Sequence, residues 1–212
     1  MSACYLLSLL TTSRHNAAGR FILQAVRTGA RGAYLFSADV GVLEPSVTPL
    51  PRGIPAHVFD SLTSATSRPD LVLCVPGVSG RKPSFICVEL KYCCEWRLDS
   101  QRARALAQHQ ALIAALQAQG YNASTVVLLL GVSGTIYKDT LDAMHAHLGV
   151  SKQHARDVAR RLHLHAVHSL SSIYGSKRKL DAASQTTIAA ATTTATAPAT
   201  VGPTHPPRPP DP

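Results

Sequence analysis

The stretch from Arg68 to Lys91 constrains this chain most, because two apolar runs there flank a turn and carry acidic residues toward one end. Leu71-Val72-Leu73-Cys74-Val75 is apolar and β-branched enough for a buried strand. Pro76 to Pro83 carries Pro, Gly and Ser turn chemistry, and Phe85 to Lys91 reads as the returning strand, so the unit is a β-hairpin. Side chains alternate along a strand, which puts Cys87, Glu89 and Lys91 on one face and Ile86, Val88, Leu90 and Tyr92 on the other.

Antiparallel pairing brings Asp70, at the start of the first strand, to the same end of the hairpin as Glu89. Two converging carboxylates suit a hard divalent cation. Mg²⁺ (or Mn²⁺) prefers oxygen ligands, keeps several waters and is usually held by one or two carboxylates. Asp70 and Glu89 meet that demand, with the Leu90 carbonyl as a third oxygen. A metal there would polarise a phosphate and acidify a water, and Lys91 would orient that water or offset the charge of the pentavalent state. An acid two positions before a lysine is also common as a simple charge pair on an exposed strand. Glu89, however, has apolar flanks, and a carboxylate in such a strand needs a metal or a cation to offset its desolvation.

Through Pro69-Asp70 and Glu89-Leu90-Lys91 the chain resembles the PD-(D/E)xK nuclease superfamily. Arg14-His15-Asn16 followed at a distance by Arg68-Pro69-Asp70 resembles more closely the restriction-like endonuclease domain of non-long-terminal-repeat retrotransposons, over about Arg14 to Ile173. A more distant resemblance is to herpesvirus nuclear proteins of the same superfamily. The resemblance implies a restriction-endonuclease-like α/β core, with a mixed central sheet of about four strands flanked by helices, and extra C-terminal helices here. It implies Asp70 and Glu89 as metal ligands and Lys91 as the catalytic amine, with Arg68, His15, Asp39 and Gln108 in support. Gln108 and His109 lie on the helix after the motif, a place from which superfamily members often reach substrate.

Two departures are visible. The segment from Arg14 to Arg31 contains no acid, so Asp39 or Glu44 would have to supply a third carboxylate. The Cys/His zinc knuckle that tends to precede the retroelement domain is reduced to Cys4 before His15.

A chain of 212 residues is enough for one domain with a real core. Its 21 Lys and Arg against 12 acidic residues give a formal net charge of +9, which favours a polyanionic partner, nucleic acid first and DNA before RNA. Both strands of a duplex are generally cut by two such sites, so a homodimer is one expected assembly. Five cysteines, an odd number without CxxC spacing, fit a reduced intracellular compartment better than a disulfide framework. No run reaches the ~20 apolar residues of a membrane span, and no membrane partner is expected.

Residues 1–12 are an N-terminal segment, 13–180 the domain and 181–212 an Ala/Thr/Pro-rich tail. Ser13 to Thr28 reads as a helix with Ser13 as N-cap, Ala33 to Val42 as the first core strand, and Leu43 to Thr66 as a loop with a short helix around His57 to Leu62. Asp99 to Gln119 is an amphipathic helix with Leu106, Ile113 and Leu116 inward and Gly120 as its stop. Thr125 to Leu130 reads as a buried strand parallel to its neighbour, and Asp139 to His147 and Ser151 to Tyr174 as two further helices. Arg156, Arg160 and Arg161 recur at helical spacing, as a phosphate-binding stripe or an ordinary solvated face. His163, His165 and His168 read as a surface cluster without a metal partner, and Lys177-Arg178-Lys179 as a short nuclear-import run. The tail is expected to be disordered.

Overall fold

The hairpin forms the centre of a mixed sheet flanked by helices on both faces. In the computed structural model the described residues are 3–28, 34–37, 68–75, 77 and 80–195. β2 (Leu71–Val75), β3 (Ser84–Cys93) and β4 (Asn122–Gly131) make the body of the sheet, and the short β1 (Tyr34–Ser37) pairs antiparallel with β2 at its edge. β2 and β3 run antiparallel, with Leu71 opposite Val88, as a hairpin requires. β3 and β4 run parallel, with Glu89 opposite Val127. Parallel pairing needs a crossover, and α2 (Leu98–Ala118) supplies it.

Helix α1 (Ala3–Arg27) packs with α3 (Lys138–Ala146) and α4 (Lys152–Ala195) on one face of the sheet, where Ile22, Leu71, Leu90, Leu128, Met144 and Leu162 share a core. On the other face Val72, Phe85 and Cys87 pack against Leu112 and Leu116 of α2. Both faces of β2 and β3 are therefore covered, which is why these strands read as nearly continuous apolar runs.

Several boundaries differ from the sequence reading. Helix α1 begins ten residues before Ser13, which is an exposed interior residue rather than an N-cap, because the Tyr5–Leu10 run continues the helix. On α2 Leu106 is 43% exposed, and the inward stripe is Ala105, His109, Leu112 and Leu116. That four-three-four spacing carries the buried stripe one residue away from Leu106. Gly120 does end α2, at φ +81°, where Lys82 Nζ also reaches the Gln119 carbonyl at 2.5 Å. Ser151 caps α4, accepting the His154 backbone N–H at 3.2 Å. Instead of ending at Tyr174, α4 is 44 residues long and takes Asp181 to Ala195 out of the expected disordered tail; alanine, the strongest helix former, is the commonest residue of that stretch, which holds neither Gly nor Pro. Residues 196–212, Asp39, Glu44 and the expected helix around His57 lie outside the described residues.

Candidate active site

Pro69 and Asp70 precede β2, and the β2–β3 ladder ends where Leu71 faces Val88. A proline cannot donate to a ladder, so pairing stops there. Leu90, two residues beyond Val88, therefore needs partners from outside β2. Its N–H donates to Asp70 Oδ2 at 2.6 Å. Its carbonyl accepts from His15 Nε2 of α1 at 3.0 Å. The same Nε2 lies 3.3 Å from Asp70 Oδ2, so carboxylate, imidazole and the Leu90 peptide form one closed group. Asp70 is buried, and His15 retains 27% side-chain exposure. The hydrogen bond to Asp70 raises the His15 pKa, against a smaller opposing effect of burial.

Continuing the register by one residue places Asp70 opposite Glu89. Glu89 is 2% exposed and each of its oxygens has a partner: Oε1 pairs with Lys91 Nζ, and Oε2 meets His109 Nε2 of α2 at 2.8 Å. Burial pushes the Glu89 carboxyl up, but the hydrogen bonds from His109 and Lys91 outweigh it and hold the group below the ordinary glutamate range. Lys91 is one-third exposed, so the site opens to solvent on its side. The two carboxylates thus sit where both helical layers meet the end of the sheet, one reached from α1 and the other from α2.

Arg14, next to His15, is 6% exposed; its guanidinium stacks on the Tyr92 ring at 4.1 Å and donates to the Val132 carbonyl at 3.3 Å. This anchors α1 to the ends of β3 and β4, beside the residue that meets Asp70. The Arg-His pair therefore divides into an anchor and a site residue.

Of the residues expected from sequence, His15 meets Asp70 and Lys91 meets Glu89, the two pairs lying at the same end of the β2–β3 ladder. Arg68 is half-buried just before them, and Gln108 lies on the exposed side of α2, whereas His109 turns inward rather than toward substrate. The Leu90 carbonyl, the expected third metal oxygen, carries the His15 hydrogen bond. Arg160 pairs with Asp157 at 3.5 Å and Arg161 lies over Phe21 at 4.6 Å, so two of the arginines Arg156, Arg160 and Arg161 already have protein partners. His163 bonds the Gly134 carbonyl at 2.8 Å and His165 meets Phe21 edge-on. Among the described residues no group of three or more His, Cys, Asp or Glu stands at metal-ligand spacing. Cys74, Cys87, Cys93 and Cys94 are free thiols, and no described helix is long and apolar enough to cross a membrane.

The contact of His109 with Glu89 was the feature missed by sequence reading. Its signal was present: a polar residue on the Ala105, Leu112, Leu116 stripe of α2 must bury its ring and find a partner there. Compared with models of known protein families and with curated proteins, the chain matches none.

Proposed function

We propose that this chain is a metal-dependent endonuclease that hydrolyses nucleic-acid phosphodiester bonds, acts on DNA, and derives from a retroelement of the PD-(D/E)xK class. The observation that carries this reading is the cross-strand placement of Asp70 opposite Glu89, with Lys91 paired to Glu89 at an end of the sheet open to solvent. The element order α1, β1, β2, β3, α2, β4 with a parallel β3–β4 crossover supports a restriction-endonuclease-like core of about four strands. A formal net charge of +9 favours a polyanionic substrate, and with Lys177-Arg178-Lys179 it favours the nucleus as the site of action.

The donor set fits a hard divalent cation. Asp70, just before β2, and Glu89 of β3 offer carboxylate oxygens, and Leu90 next to Glu89 offers a carbonyl, the all-oxygen chemistry that Mg²⁺ or Mn²⁺ takes. When bound, such an ion supplies Lewis-acid polarisation of the phosphate and a water acidified for attack. Lys91, with its exposed side toward solvent, holds the attacking water and offsets charge gathering on the phosphate oxygens. His15 holds the Asp70 carboxylate and the Leu90 carbonyl in one orientation.

A second reading rests on one observation: both carboxylates already have internal partners, Asp70 in His15 and the Leu90 N–H, Glu89 in Lys91 and His109. Such a closed set suits a nucleic-acid-binding or interaction module that has lost its chemistry. The test is nicking of supercoiled plasmid and of single-stranded DNA with Mg²⁺ or Mn²⁺, comparing wild type with Asp70→Asn and Lys91→Met. Metal-dependent cleavage lost in both variants, with DNA binding retained, is the expected result. Binding without cleavage by the wild type would overturn the nuclease in favour of the module.

A further inference from the structure

We propose that His109 is a positioning residue that fixes the Glu89 carboxylate and leaves Oε1 as the oxygen offered to a cation; this rests on the metal-centre reading of the site. His109 is 0% exposed, held between Ala105 and Leu112 on the buried stripe of α2. Its Nε2 stands 2.8 Å from Glu89 Oε2, while its Nδ1 is buried without a hydrogen-bond partner. A proton on Nδ1 would have no acceptor, so the ring carries its proton on Nε2 and donates it to Glu89.

The two partners of Glu89 differ in freedom. His109 is enclosed on a 21-residue helix packed against β4 and β3, so its donor cannot move without α2. Lys91 is an amine on a flexible stem, one-third exposed, and it can leave Oε1 for solvent or substrate. Oε2 is therefore the anchored oxygen and Oε1 the exchangeable one. A glutamate free at both oxygens would sample several rotamers, and donors behind a ligating carboxylate remove that freedom.

The test uses the full chain and Mn²⁺ alone as the probe, titrated by electron paramagnetic resonance, with thermal unfolding followed separately without metal. His109→Gln keeps an N–H donor and His109→Leu removes it. His109→Gln is expected to bind Mn²⁺ close to wild type, and His109→Leu about ten- to a hundredfold more weakly, the range seen when a group orienting a metal ligand is removed. Equal affinity in a folded His109→Leu, or an equal loss in both variants, overturns the proposal. Should His109→Leu not fold, the wild-type ring decides by nitrogen-15 NMR: one ring proton on Nε2 supports the assignment, and a proton on Nδ1 overturns it. Wild type binding no Mn²⁺ that Asp70→Asn abolishes would instead overturn the metal-centre reading, and the positioning role with it.

Discussion

Replacing Asp70 tests its structural and chemical roles separately. Asp70→Ala leaves the Leu90 N–H without an acceptor in a site where Asp70 itself was buried, and it strips His15 of its carboxylate. An unsatisfied buried donor costs about 1–3 kcal/mol. The contact to His15, whose side chain is 27% exposed, adds at most about 1 kcal/mol after solvent screening. The expected loss is therefore about 1–4 kcal/mol, a large part of the margin of a domain of this size. Asp70→Asn keeps an acceptor oxygen for the Leu90 N–H and removes only the charge, so its expected cost is under about 1 kcal/mol. Urea unfolding of both variants in metal-free buffer, followed by circular dichroism, measures the difference. On the nuclease reading both variants lose cleavage, but only Asp70→Ala loses stability. If Asp70→Ala matches wild type within experimental error, the carboxylate does not satisfy the Leu90 N–H beyond the β2–β3 ladder and this account of its structural role is wrong.

Three further outcomes are expected. Glu89 is held below the ordinary value of 4.5, burial raising it and the His109 and Lys91 hydrogen bonds outweighing that, so its stabilising contribution is present above that value and is lost as pH falls through the folded pKa. Metal-free unfolding midpoints should therefore fall more steeply with acid in wild type than in Glu89→Gln, and parallel curves would contradict the assignment. Burial pushes the Cys74 thiol up to about 11, and burial with the nearby Glu89 pushes Cys87 up to about 12. Mass spectrometry after brief alkylation of the native protein should find half-buried Cys94 modified before either of them; early labelling of Cys87 would contradict its enclosure. Ser151→Ala removes the cap of α4 and should cost about 0.5–2 kcal/mol in the same urea assay, whereas an unchanged midpoint would show that this cap is dispensable.

Local sequence determined much of this fold. The apolar runs Leu71–Val75 and Phe85–Leu90 with a Pro/Gly turn between them dictate a hairpin, and the hairpin brings Asp70 and Glu89 to one end. Gly120 and Ser151 mark helix ends through backbone freedom and side-chain capping, both of which act within a few residues. The boundary of α1 and the length of α4 were less legible: Ser13 has capping chemistry but the helix passes through it, and the alanine-rich stretch after Asp181 could serve a tail or a helix equally well. Only the tertiary structure decided which partners the two carboxylates have. His15 is 55 residues from Asp70 and 75 from Leu90, and His109 is 20 from Glu89. No local periodicity relates positions so far apart. These contacts exist because α1 and α2 pack on opposite faces of the sheet, and that packing is set by burial of apolar surface summed over the whole core.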